Sequence, residues 1–118
     1  MSRFDPGQLS LFTGTAYHYR INRLCLLTDG TAYVAEGAGA FWLMDAAASY
    51  LIELGNRDWF VLIRLTVMGS SALMSLEDGN GHVHVSQEIP YTDFPMPELS
   101  LYACWDGDHW VLMLPSEY

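Results

Sequence analysis

Beyond residue 58 the chain offers no stretch with helical periodicity: short β-branched, aromatic and aliphatic runs alternate with tight-turn signals to its end. Parallel strands need a long crossover between them, usually a helix. A segment without one predicts antiparallel strands joined by hairpins. Residues 59–68 are almost continuously apolar, the pattern of a central strand buried on both faces except near Arg64. Ala72, Met74 and Leu76 then alternate with Ser71, Leu73, Ser75 and Glu77, and Asp78-Gly79-Asn80-Gly81 turns the chain into residues 82–89. Val83, Val85 and Ile89 are expected on one face there, with His82, His84, Ser86 and Glu88 on the other. A loop with Pro90, Pro95 and Pro97 follows, and residues 99–104 and 109–114 flank Asp106-Gly107-Asp108 as a last hairpin.

The first half is mixed. Asp5-Pro6-Gly7 opens a short helix with Asp5 as its cap. Residues 16–20 and 24–28 read as two short strands, and Asp29-Gly30 as a turn after them. Gly37-Ala38-Gly39 reads as a bend before residues 40–54, the strongest helical segment, rich in Ala, Leu and Met and ended by Gly55. Trp42, Asp45, Ser49 and Glu53 form its only polar stripe, so the helix is expected to be covered around most of its circumference. With 118 residues, 51% of them apolar and 16% charged, the chain suffices for one core and argues against disorder. The expected fold class is α+β. An antiparallel β-meander of about four or five strands carries one main helix and short N-terminal elements on one face, in a single domain, residues 1–118.

Charge narrows the function. Fourteen Asp and Glu face five Arg and no Lys, a net charge of −9, which argues against direct nucleic-acid binding through phosphate neutralisation. Arg3, Arg20, Arg23, Arg57 and Arg64 all precede residue 65, whereas Glu77, Asp78, Glu88, Asp93, Glu98, Asp106, Asp108 and Glu117 all follow it. The second half therefore suits a cationic groove on another protein. Glu77, Asp78, Glu88, Asp93, Asp106 and Asp108 would supply the field, with Tyr91 and Trp105 as aromatic anchors. Cys25 and Cys104 are too few for a disulfide scaffold, no leader-like segment opens the chain, and no apolar run approaches the ~18 residues of a membrane span. These features predict a cytoplasmic protein without membrane contact.

Catalytic patterns are sparse. There is no Gly-x-Ser-x-Gly elbow, no Cys-x-x-Cys pair and no phosphate-binding Gly-Lys loop. His82 and His84 stand about 7 Å apart along a strand, near enough to share a metal if His109, Cys104 or Glu88 approached; spacing specifies no third ligand, so neither a metal nor a cofactor is expected. The alternative to a protein-binding module is a small enzyme or ligand-binding domain around the helix stripe, using His18, Tyr19, Arg20, Trp42, Asp45 and Ser49. A positive mean hydropathy of +0.12 and the apolar helix also suggest a homodimer.

Several strings carry a resemblance: Thr13-Gly14-Thr15, Tyr17-His18-Tyr19-Arg20, Thr28-Asp29-Gly30, Ala38-Gly39-Ala40, Trp42-Leu43, Asp45-Ala46, Tyr91-Thr92-Asp93-Phe94-Pro95 and Leu114-Pro115-Ser116-Glu117-Tyr118. Over nearly its whole length the chain resembles a domain-of-unknown-function family of short bacterial proteins, many carried on plasmids, integrative elements or phages. Where relatives favour a basic residue between Glu36 and Ala38, this chain has Gly37. The resemblance implies a single-domain protein of the mobile gene pool and brings no catalytic residue with it. It also raises one class of function: small acidic proteins of such elements often inhibit host defence, some by imitating DNA in the channel of a nuclease or CRISPR effector. The expected function is accordingly a non-enzymatic acidic inhibitor of a nucleic-acid-binding host protein.

Overall fold

The computed structural model describes residues 4–55 and 58–118. Asp5 accepts a hydrogen bond from the Gly7 amide at 2.9 Å and starts a 3-10 helix, Pro6–Leu11, as its sequence predicts. Two short strands follow, β1 (Tyr19–Arg20) and β2 (Cys25–Leu27), then two helices, α1 (Asp29–Gly37) and α2 (Phe41–Leu54). The remainder is β3 (Phe60–Met68), β4 (Ser71–Glu77), β5 (Val83–Ile89), β6 (Glu98–Trp105) and β7 (Trp110–Met113), closed by a 3-10 turn, Pro115–Glu117.

The strands form one seven-stranded sheet in the order β1-β2-β7-β6-β3-β4-β5. Expectation and structure part here: the fold is α+β, but the sheet is larger than four or five strands and mixed, and there are two main helices. All pairings are antiparallel except β2 with β7, where Leu27 lies opposite Leu112. The hairpin logic holds after residue 58. The parallel pair arises because the last strand returns beside β2, a strand from before the helices, with α1 and α2 as the crossover that parallel order requires. Asp29-Gly30 misleads as a turn signal because Thr28 caps a helix at that point: Thr28 Oγ1 accepts from the Thr31 amide while Thr31 Oγ1 accepts from Thr28 N.

One face of the sheet makes the core. Val61, Ile63 and Leu65 of β3, Met74 and Leu76 of β4, Leu101 and Ala103 of β6, and Trp110 and Leu112 of β7 are all buried. Against them α2 lays Leu43, Met44, Ala47, Ala48 and Leu51, the i, i+1, i+4, i+5, i+8 face of a helix. Two burial expectations need correction. β3 is central yet covered on one side only, so Leu62 and Thr66 are half-buried and Arg64 is exposed. The helix is likewise covered on one side, leaving Phe41 47% exposed. A bulge between Leu76 and Glu77 pairs Leu76 with Val85 but Glu77 with Val83, which sends Val83 to the outer face and breaks the predicted alternation around His84.

Strand directions give the sheet two distinct ends. The β4–β5 and β6–β7 turns and the start of β3 share one, called the hairpin end. The start of α1, the β3–β4 turn, the 90–97 loop and the Pro115–Glu117 turn share the other, the cap end. There Glu117 fastens the C-terminal segment to α1: Oε1 accepts from Thr28 Oγ1 at 2.6 Å and the Leu114 amide at 2.9 Å, and Oε2 from the Gly30 amide at 3.1 Å. A carboxylate over the first turn of a helix also meets the positive end of its dipole. Glycine is required at position 30, since a Cβ there would lie 2.5 Å from Glu117 Oε1 and 2.6 Å from Leu114 Cδ1. Gly30→Ala and Glu117→Ala are each expected to lower unfolding stability by about 1–3 kcal/mol, measured by urea denaturation. Ser116→Ala, which loses only an exposed bond to the Leu9 carbonyl, should change it by less than about 0.5 kcal/mol.

Candidate functional site

Two turns and one strand start build the hairpin end. In the β6–β7 turn Asp106 Oδ1 accepts from the amides of Asp108 (2.9 Å) and His109 (2.7 Å). In the β4–β5 turn Asp78 Oδ1 accepts from Asn80 (2.7 Å) and His82 (3.1 Å). Asp58 repeats the device at the start of β3, holding the Trp59 amide at 2.9 Å. These aspartates are therefore both turn formers and surface charges. Adjacent strands lie about 4.8 Å apart, and the centres of the two turns are three strand spacings apart, so their carboxylates stand roughly 14 Å from each other along one end of the sheet.

The outer face beside this end is aromatic. Phe60, Tyr102 and Tyr118 pack mutually edge to face, with ring centroids 5.1, 5.2 and 5.9 Å apart, and Trp59 stands 5.8 Å from Phe60. Trp59 and Tyr118 are 61% and 65% exposed. With Asp58, Asp78, Gly79 and Asn80 these four rings line an open cleft of about 420 Å³. Gly79 has φ +84°, and a Cβ on it would come within 3.2 Å of Phe60.

The residues singled out from sequence as a partner surface do not form one patch. Asp78, Asp106 and Asp108 share the hairpin end. Tyr91, 75% exposed, and exposed Asp93 lie in the cap-end loop beyond Glu88, separated from Asp78 by the seven residues of β5, about 20 Å. Glu77 is half-engaged on the outer face with Arg64 at 3.9 Å. Trp105 is corrected: its ring packs against the core, 5.7 Å from Trp110, so it is no free anchor. The exposed tryptophan at this end is Trp59, which sequence reasoning assigned to a buried strand. Asp58 before it, a turn former at a strand start, was the available signal.

The alternative ligand cluster is drawn into separate local contacts. Tyr19 Oη donates to Asp29 Oδ1 at 3.0 Å, Arg20 Nη1 to the Arg23 carbonyl at 3.1 Å, and Ser49 Oγ to the Asp45 carbonyl at 2.9 Å. His18 is exposed on the approach to β1, and Trp42 is half-buried against the core. His82 and His84 pack edge to face with ring centroids 5.0 Å apart, and His84 Nε2 lies 3.7 Å from Asp58 Oδ2, too far for a hydrogen bond. Among the described residues no three His, Cys, Asp or Glu side chains gather as metal ligands. Burial pushes the thiols of Cys25 and Cys104 above the ordinary cysteine range, which holds them protonated and poorly nucleophilic. Of the chain's basic residues, Arg3 and Arg57 lie outside the described residues. No helix among those described is long and apolar enough to cross a membrane.

The geometry defines a class: an α+β domain with a two-helix layer on one face of a mixed sheet, and an acidic, aromatic outer end. Residues 6–118 match a family of unknown function, DUF6876, and the chain belongs to that family. No curated protein and no solved structure matches it.

Acid titration tests the turn chemistry. Backbone donors hold three carboxyls below the ordinary Asp range: foremost the Ala16 amide for Asp29, the Asn80 amide for Asp78, and the Asp108 amide for Asp106. A depressed folded pKa contributes stability that is present above the unfolded value, about 3.9, and is lost as pH falls through the folded one. The urea midpoint should therefore respond little to these groups between pH 5 and 7 and fall below about pH 4. Asp29→Asn should flatten that acid limb; an unaltered limb would remove Asp29 from the linkage.

Proposed function

We propose that the protein is a non-enzymatic binding module whose hairpin end docks on a basic, nucleic-acid-binding protein, and that it inhibits that protein in the manner of anti-defence factors. The observation that carries this reading is the gathering of Asp58, Asp78, Asp106 and Asp108 at one end of the sheet beside exposed aromatic rings. Charge at a rim steers encounter, and desolvated rings supply the area that holds a partner. The dispersal of the alternative cluster, with Tyr19 bonded to Asp29, Arg20 to the Arg23 carbonyl and Ser49 to its own helix, supports a binding role over a catalytic one.

Charge density bears on the mode. Duplex DNA presents one phosphate per ~1.7 Å of axis, whereas this end carries a few carboxylates over roughly 14 Å. Engagement of a small set of arginines or lysines fits that spacing better than imitation of a whole duplex. The proposed inhibitor thus occupies part of a nucleic-acid channel and blocks the remainder by bulk.

Affinity capture from host cells tests it. Asp106→Asn keeps the turn acceptor while removing charge, and Asp108→Lys reverses a charge that holds no turn amide. The double variant is expected to fold normally and to lose at least about ten-fold in capture of a basic protein at low salt, a difference that shrinks as salt rises. The captured protein should lose nucleic-acid binding when the wild-type chain is added. Equal capture by variant and wild type across salt concentrations would overturn the reading.

A further inference from the structure

The cleft at the hairpin end combines three properties that favour a cation. Its walls are aromatic, with Phe60, Tyr102 and Tyr118 edge to face and Trp59 beside them, and the rings of Trp59 and Tyr118 are largely exposed. Its rim is acidic, with Asp58 just before β3 and Asp78 just after its neighbour β4. Both carboxylates are fixed in orientation, because in each Oδ1 is held by backbone amides: Asp58 by Trp59 N and, at 3.5 Å, Phe60 N; Asp78 by Asn80 N and His82 N. The second oxygen of each accepts no hydrogen bond from a described residue, although Asp58 Oδ2 has His84 Nε2 beside it at 3.7 Å. The volume, about 420 Å³, exceeds a solvent dimple and lies within the range of small-ligand sites.

We propose that this cleft is the receptor for an arginine side chain of the basic partner, with the guanidinium against the rings of Trp59 and Tyr118 and its N–H groups donating to Asp58 and Asp78. Arginine fits better than lysine. Its planar, weakly hydrated guanidinium stacks on rings and donates in a fork to carboxylates, whereas an ammonium is a strongly hydrated point charge. Of the chain's own described arginines, Arg64 lies near Glu77 and Arg20 donates to the Arg23 carbonyl. The inference rests on the binding-module reading and gives that module a specificity element that uniform acidic charge lacks.

The experiment is a nuclear magnetic resonance titration of the full chain with acetyl-arginine-amide. Acetyl-citrulline-amide serves as the uncharged near-isostere and acetyl-lysine-amide as the competing cation. The Trp59 indole N–H and the Tyr118 ring signals are expected to shift with arginine, weakly with lysine and hardly with citrulline. Trp59→Ala should weaken binding about two- to five-fold. Asp78→Asn, which keeps the Oδ1 acceptor of its turn, should weaken it about ten-fold or more. Equal shifts with citrulline, equal affinity for lysine, perturbation centred away from Trp59, or unchanged affinity in both folded variants would each overturn the proposal. Absent arginine binding, with protein capture still dependent on Asp108, would sink the cleft and leave the module. Arginine binding at Trp59, with capture indifferent to Asp106 and Asp108, would uphold the cleft while removing the wider role.

Discussion

A buried knot of two hydroxyls and a carboxylate holds the two halves of the chain in register. Thr28 and Thr31, 2% and 0% exposed, cap α1, and Thr31 Oγ1 also donates to the Leu112 carbonyl of β7 at 2.6 Å. Glu117 reaches across 89 positions of sequence to Thr28. Without these contacts the three-residue pairing of β2 with β7 would be the main link between the helices' leading strand and the sheet, and a parallel pair that short is weak. Buried polar groups are costly unless every donor and acceptor is matched. Their satisfaction here makes one arrangement of C-terminal segment, strand and helix strongly preferred over slipped alternatives.

The same region gathers several of the strings that stand out in the sequence. Thr15 accepts from the Asp29 amide, the Ala16 amide and Tyr19 hydroxyl donate to Asp29, and Glu117 closes over Thr28 and Gly30. Residues from Thr13-Gly14-Thr15, Tyr17-His18-Tyr19-Arg20, Thr28-Asp29-Gly30 and the final Glu117 thus meet in one hydrogen-bonded region. In the 91–95 string, Thr92 and Phe94 are the buried members; the Thr92 amide donates to Ser70 O and Thr92 Oγ1 accepts from the Phe94 amide. Polar residue types that suggest chemistry in isolation are consumed by architecture.

The legible parts of the fold were those fixed by local patterns. Asp5-Pro6, the Gly55 helix end, the two Asp-Gly hairpins and the β3–β4–β5 order follow from turn chemistry and period-2 or period-3.6 burial over short spans. What escaped depended on distant partners. Asp29-Gly30 satisfies a hairpin turn or a capped helix equally well until Glu117 and Leu112 arrive from the other end of the chain. The parallel seam is a property of where β7 docks, invisible in β2 or β7 alone. The candidate site was half legible: turn aspartates announce themselves, and Asp78, Asp106 and Asp108 did fall together. Trp59 and Trp105 exchanged roles because an apolar run does not say which of its ends emerges into solvent, and Tyr118 gained meaning only by packing on Phe60 and Tyr102.

On the proposed reading, the two ends of the sheet divide the work of the molecule. At the cap end the carboxylates of Asp29 and Glu117 point into matched internal bonds and so cannot be spared for a partner without loss of fold. At the hairpin end, each turn aspartate needs only one oxygen for its backbone donors, so the second can face a guest at no cost to the turn. Stability and recognition are thus assigned to different atoms, and at Asp58 and Asp78 to different oxygens of one side chain. An asparagine there preserves the turn and removes the charge, which separates binding from folding. If the hairpin end is the binding surface proposed above, sequence change at its tips would retune the partner while the knot at the cap end holds the scaffold constant.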